Sequence, residues 1–194
     1  MELFLSLRDE ARAGVLAERL PCAERMVTGI MVEVPSTAIL AAELAELIDF
    51  FSIGTNDLTQ YTLAADRGDA ILAPLQDALH PAVLRLIASV VAGADKAGIP
   101  VGVCGELAGD PAGALVLVGL GVDELSADAA CLDGVRAALA EATRAELDEL
   151  ARAALSAARA EHVRALAAKL VIRGRDDSVG LVCDDRRAGA PQRA

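Results

Sequence analysis

Four short apolar runs recur along the chain, each followed by a longer stretch of helical periodicity. Residues 29–34 (GIMVEV) are the first and read as a buried strand ending at Glu33. Residues 49–53 (DFFSI) form the second, residues 100–104 (PVGVC) the third, and residues 121–126 (GVDELS) carry the fourth. Short apolar runs bounded by Gly, Pro or Asp suit strands buried in a sheet. Between them the pattern predicts helices. Pro35-Ser36 opens one that continues to Ile48, His80-Pro81 starts another with Pro at its first position, and Gly98 stops it. Residues 112–120 form a third, and residues 7–20 form an amphipathic helix ahead of the first strand, with Leu16 and Leu20 four apart. Residues 54–80 read as a long loop with a helical turn near Thr59, and residues 105–111 as a shorter one. Beyond the fourth strand the chain is Ala-rich helix to about Val171. It restarts near Thr143, where Thr143-x-x-Glu146 has the form of a capping box.

Strand–helix units in series, with continuous apolar strands, imply an α/β fold whose parallel sheet is covered by helices. No internal repeat or linker divides residues 1–172, which read as one domain. Residues 173–194 mix Arg, Asp, Gly and Pro and read as a disordered tail.

Composition narrows the function classes. The chain has 194 residues, enough for a sizeable core, and aromatics make up only 2%, so the core must be Leu, Val, Ile and Ala. A formal charge of −11 argues against a nucleic-acid surface. The most apolar run, residues 112–122, is far short of the ~20 residues a membrane-spanning helix needs. Acids and bases throughout residues 1–20 exclude a signal peptide. The four cysteines (Cys22, Cys104, Cys131, Cys183) are widely spaced with no C-x-x-C pair. That argues against zinc and a disulfide framework, and for a reducing cytoplasm.

Candidate chemistry gathers where the strands end. Residues 49–62 run from a strand into Gly54-Thr55-Asn56-Asp57 and hold two of the chain's three Phe and its only Tyr. Glu33 ends the first strand and Asp57 follows the second, 24 residues later. Adjacent parallel strands would bring both to one edge, where two carboxylates with water and substrate oxygens suit Mg²⁺. Helix and turn capping explain the same two acids. The Gly54–Asp57 turn offers backbone N–H groups and the Asn56 amide to an anion, or is an ordinary Asx turn. Arg67 is either a bidentate phosphate clamp or a solvated partner of Asp66 or Asp69. Cys104, between Gly102 and Gly105, is either an acid, base or nucleophile beside a ligand or a buried structural thiol. Glu106 supports that site or is a loop carboxylate. His80 reads as a packing or capping residue and His162 as exposed.

Taken together these segments resemble a known family. Gly29-Ile-Met-Val-Glu33-Val-Pro35, residues 49–68 (DFFSIGTNDLTQYTLAADRG), residues 79–87 (LHPAVLRLI), residues 102–111 (GVCGELAGDP) and residues 120–126 (LGVDELS) resemble the C-terminal domain of Enzyme I of the bacterial sugar phosphotransferase system. That family comprises the phosphoenolpyruvate–protein phosphotransferases, and the likeness runs from about Gly29 to Ile172. Pyruvate phosphate dikinase and phosphoenolpyruvate synthase share the superfamily and are the alternative. The resemblance implies a (βα)₈ barrel, of which only about the last four βα units plus C-terminal helices are present. It implies that Glu33 and Asp57 ligate Mg²⁺, that Asn56, Asp57 and Arg67 bind the phosphoenolpyruvate (PEP), and that Cys104 is the proton donor to the enolpyruvate methylene carbon. It also implies a histidine acceptor domain, contact with a phosphocarrier protein through that domain, and the first half of the barrel, none of which this sequence contains. Such a half-barrel has two open strand edges and an uncovered apolar face. The expected partners are PEP or pyruvate, a second copy, or a complementing N-terminal half; a non-catalytic dimerisation or regulatory fragment is the competing expectation.

Overall fold

The computed structural model describes residues 1–172; the tail expected at residues 173–194 lies outside them. The described elements are α1 (Glu2–Ala17), β1 (Gly29–Val32), α2 (Pro35–Ile39), α3 (Ala41–Ala45), β2 (Phe50–Gly54), α4 (Thr55–Leu63), α5 (Pro81–Ala97), β3 (Val101–Cys104), α6 (Glu106–Gly109), α7 (Pro111–Gly119), β4 (Glu124–Ser126), α8 (Ala129–Ala140), α9 (Arg144–Ser156) and α10 (Ala160–Val171). The strands form one sheet in the order β1-β2-β3-β4, and every pairing is parallel. The α/β class and the four expected strands are therefore present.

The two faces of this sheet differ because strand side chains alternate. Val32, Phe51, Ile53, Val101 and Val103 are buried on one face, where α5 packs against β2 and β3. Burial of such side chains contributes roughly 1.5–3 kcal/mol each. The other face carries Met31, Ser52, Gly102, Cys104, Glu124 and Ser126, half-buried or exposed. The expectation of an uncovered apolar face is corrected here. The strand runs look uniformly apolar, but most of the alternate positions are small or polar, Met31 and Phe50 excepted, and those positions share the open face. Phe50 closes its lower end, its ring lying where a Cβ on Gly29 would stand.

Several helices depart from the expected bounds. The helix expected from Pro35 to Ile48 breaks at Leu40 into α2 and α3. α3 lies hard against α5, where a Cβ on Gly93 would come 2.8 Å from the Ala42 backbone nitrogen. The helical turn expected near Thr59, within a long loop over residues 54–80, is a full helix, α4, whose buried face is Thr55, Leu58 and Thr59. Thr59 and Thr62 donate their hydroxyls to the carbonyls of Thr55 and Leu58, both at 2.6 Å, so polar residues are satisfied inside the helix. α1 begins and ends earlier than expected, and none of its residues is fully buried. The caps agree with expectation. His80 Nδ1 accepts from the Ala82 N–H at 3.2 Å, Gly98 ends α5 at φ +69°, and Thr143 and Glu146 form the reciprocal capping box.

At the N-terminal ends of the strands, two aspartates tie neighbouring strands together. Asp49 accepts from the Thr28 N–H at 2.8 Å and Asp123 from the Val101 N–H at 2.8 Å. Cys22 and Cys104 are free thiols.

Candidate functional site

The register places side chains of the open face in level rows. Met31, Ser52, Gly102 and Glu124 form one row, and Gly54, Cys104 and Ser126 form the next one toward the C-terminal strand ends. Glu33 directly follows Val32 and extends the upper row past the end of β1. Gly54 has no side chain, and Glu33 occupies the space: a Cβ on Gly54 would lie 2.9 Å from Glu33 Cγ and 3.1 Å from its Oε1. The carboxylate at the end of β1 thus lies across the end of β2.

β2 passes straight into α4 at Gly54, which provides no side-chain cap. Asn56 and Asp57 therefore sit half-buried in the first helical turn, not in a loop. Asn56 Oδ1 accepts from the Glu106 N–H at 3.2 Å, which commits its oxygen and leaves its amide N–H groups as the available donors. The Thr55 hydroxyl donates to the Cys104 carbonyl at 3.1 Å. Gly105 makes this approach possible. Its φ is +110°, and a Cβ there would stand 2.6 Å from Thr55 Oγ1 and 3.0 Å from Asn56 Oδ1. The ends of β2 and β3 are fastened together by these contacts.

Arg67 pairs with Glu106 at 3.6 Å, both side chains being exposed. The aspartates weighed as its partners are engaged elsewhere: Asp66 accepts from the Gly68 N–H and Asp69 from the Ile71 N–H, both at 2.8 Å. Cys104 is half-buried. The Ser52 hydroxyl donates to its Sγ at 3.8 Å, and the thiol donates to Met31 Sδ at 3.8 Å. Neither neighbour was picked out from sequence; only strand register brings them to the thiol.

The structure thus joins Glu33 to Gly54, Asn56 to Glu106, Arg67 to Glu106, and Cys104 to Ser52, all at the C-terminal half of the open face. Among the described residues, no three His, Cys, Asp or Glu side chains gather to hold a metal. A caged metal is therefore not built there. Glu33 at the end of β1 and Asp57 in the first turn of α4 are oxygen donors of the kind a hard ion such as Mg²⁺ takes, with water and substrate oxygens completing its shell. Two clefts lie elsewhere, about 290 Å³ around Arg8, Arg12, Arg25 and Asp49, and about 520 Å³ around His162 and Lys169.

The family model of the PEP-utilising enzyme PEP-binding domain matches residues 3–144, a span that contains all four strands and every residue of the strand-end cluster. The chain belongs to the PEP-utilising enzyme family, through its PEP-binding domain. The domain is 56% identical over 138 residues to a multiphosphoryl transfer protein of Rhodobacter capsulatus, covering 71% of this chain and 17% of that protein. It is 51% identical over 169 residues to the Xanthomonas campestris protein of the same name, covering 86% of this chain and 20% of that one. It is 46% identical over 148 residues to a phosphoenolpyruvate-protein phosphotransferase of Borreliella burgdorferi, covering 76% of this chain and 26% of that one. This PEP-binding domain thus spans between 17% and 26% of the length of these three relatives.

Proposed function

We propose that this chain is the PEP-binding portion of a phosphoenolpyruvate–protein phosphotransferase and takes PEP at the C-terminal ends of β1, β2 and β3. Glu33 and Asp57 are the residues that hold Mg²⁺. The ion supplies charge neutralisation on the phosphoryl group that leaves PEP. The Asn56 amide donates to a phosphate oxygen. Arg67 exchanges its exposed pair with Glu106 for the phosphate, at little cost because exposed pairs contribute roughly 0–1 kcal/mol. Cys104 faces the methylene carbon. Its S–H bond breaks as the proton goes to that carbon, the enolate oxygen's electron pair closes the carbonyl, and a thiolate remains. In reverse the thiolate removes a methyl proton from pyruvate.

The observation that supports this reading best is the level row of Glu33, Gly54 and Cys104 on one open face, inside the span that matches the family. The sheet is read as part of a (βα)₈ barrel. A parallel sheet with helices on one face, small polar residues on the other and candidate chemistry at the C-terminal strand ends supports it. Transfer to a protein histidine, and contact with a phosphocarrier protein, belong on this reading to the remainder of a longer protein or to a complementing half. A cytoplasmic location follows from the substrate; nucleic acid and membrane insertion play no part.

The experiment is exchange of pyruvate methyl protons with deuterium, followed by NMR. Mg²⁺-dependent exchange that Cys104→Ala abolishes is the expected result; exchange that persists in the variant overturns the acid assignment. A second reading, an association module without turnover of its own, draws on the exposed apolar side chains Leu3, Phe4, Leu7 and Leu16 of α1. It predicts a homodimer, and a monodisperse monomer by light scattering contradicts it.

A further inference from the structure

We propose that Ser52 is a positioning residue for Cys104, its hydroxyl stabilising the thiolate left when the thiol has given its proton to carbon. The inference rests on the proton-transfer role given above to Cys104.

Ser52 lies between Phe51 and Ile53, both fully buried on the helix-covered face. Its side chain therefore emerges on the open face, in the row just below Cys104. From there the hydroxyl donates to Sγ at 3.8 Å while the thiol hydrogen is directed to Met31 Sδ at 3.8 Å. The two contacts are unequal. A thioether is a weak acceptor that does nothing for a thiolate, whereas a hydroxyl donates to sulfur in either state and more strongly once it is charged.

In the chain without Mg²⁺, several carboxylates share this end of the sheet with Cys104. Glu124 of β4 is level with Ser52 and Gly102, Glu33 leans over Gly54 in the Cys104 row, Asp57 stands in the first turn of α4, and Glu106 lies two residues beyond Cys104. The guanidinium of Arg67, held by Glu106, is a cation at this end of the sheet, and Mg²⁺ on Glu33 and Asp57 would be another. Ser52 adds to these a fixed neutral dipole aimed at the sulfur itself. No proton leaves Ser52 in this scheme; its O–H bond stays intact and only the hydrogen bond strengthens.

The test is iodoacetamide alkylation of Cys104 in the full chain, resolved from the other cysteines by peptide mass spectrometry and followed across pH. Circular dichroism confirms that each variant is folded. Ser52→Ala is expected to slow Cys104 alkylation at pH 7 roughly threefold or more, to displace the pH profile to higher pH and to keep its plateau. Ser52→Thr, which retains the hydroxyl, is expected to restore the profile, and Met31→Leu to leave the rate within about twofold of wild type. An undisplaced profile in Ser52→Ala, or a lowered plateau without displacement, overturns the proposal. The readout needs no substrate. A wild-type chain that fails to exchange pyruvate protons removes the functional reading while alkylation still decides whether Ser52 acts on Cys104.

Discussion

The Glu33 side chain lies across the bare Cα of Gly54, its Cγ 2.9 Å from the place a Cβ would take. The acid of one strand thereby reaches over the end of the next, toward the first turn of α4. Gly54 has a φ of −83°, which any residue can adopt, so what glycine supplies there is room and not conformational freedom.

Gly54→Ala is accordingly expected to displace Glu33 while leaving the fold in place. Mg²⁺-dependent PEP affinity should fall roughly 10–100-fold, the range for disturbing the support of a metal ligand, with little change in Tm. Isothermal titration and a thermal melt check the two parts. Unchanged affinity would mean that Glu33 does not act from this position.

Gly105 is the opposite case. At φ +110°, and with a Cβ 2.6 Å from Thr55 Oγ1, alanine meets both backbone strain and a clash. Gly105→Ala should cost about 1–3 kcal/mol in urea denaturation. Thr55→Val, which removes the 3.1 Å bond to the Cys104 carbonyl, should cost about 1 kcal/mol.

Asp49 predicts an acid-sensitive contribution to stability. The Thr28 N–H, and after it the Arg25 guanidinium, hold its carboxyl below the usual carboxylate value. A depressed carboxyl stabilises the fold above the unfolded value, near pH 4, and that contribution is lost as pH falls from there through the lowered native value. Asp49→Asn should therefore be less stable than wild type at pH 7 and converge with it at the acid end. Parallel denaturation curves at pH 7 and pH 3 read this directly; a constant gap between the two proteins contradicts it.

Arg164 of α10 pairs with Asp77 at 3.0 Å and Asp110 at 2.9 Å, joining α10 to the segments ahead of α5 and α7. Partial burial works against its charge, but the two aspartates outweigh that and raise its pKa further above neutral. A raised basic group contributes fully below its unfolded value, so the contribution should not change between pH 5 and 9. The side chain is about half exposed, so Arg164→Ala should cost only about 1 kcal/mol, and less in 1 M salt. Denaturation at low and high salt checks it.

Local signals in the sequence located the strands and caps. His80-Pro81, Gly98 and the Thr143–Glu146 box act within a few residues of themselves, and each appears in the structure as expected. Only a single turn of α4, near Thr59, was legible, because Thr55, Asn56, Asp57, Thr59, Gln60 and Thr62 read as loop polarity, and the structure shows two of those hydroxyls bonded back within the helix. The candidate residues Glu33, Asn56, Asp57, Arg67, Cys104 and Glu106 stand out in the sequence by type, and the structure sets them just beyond or near strand ends. What was not legible depends on register between strands: the Glu33 side chain over Gly54, the Asn56 contact to Glu106, and the Ser52 hydroxyl at Cys104. A one-residue slip in any pairing would abolish these relations without altering the composition of a single segment.

On the proposed function, the strand ends of this chain bind PEP with the help of Mg²⁺. Isothermal titration of the purified chain with PEP, in the presence of Mg²⁺ and again in excess chelator, tests this. Saturable binding with Mg²⁺ is expected, lost in the chelator and weakened by both Glu33→Gln and Asp57→Asn. Binding that is indifferent to Mg²⁺ and to both substitutions, or no binding with or without a complementing barrel half, would contradict it.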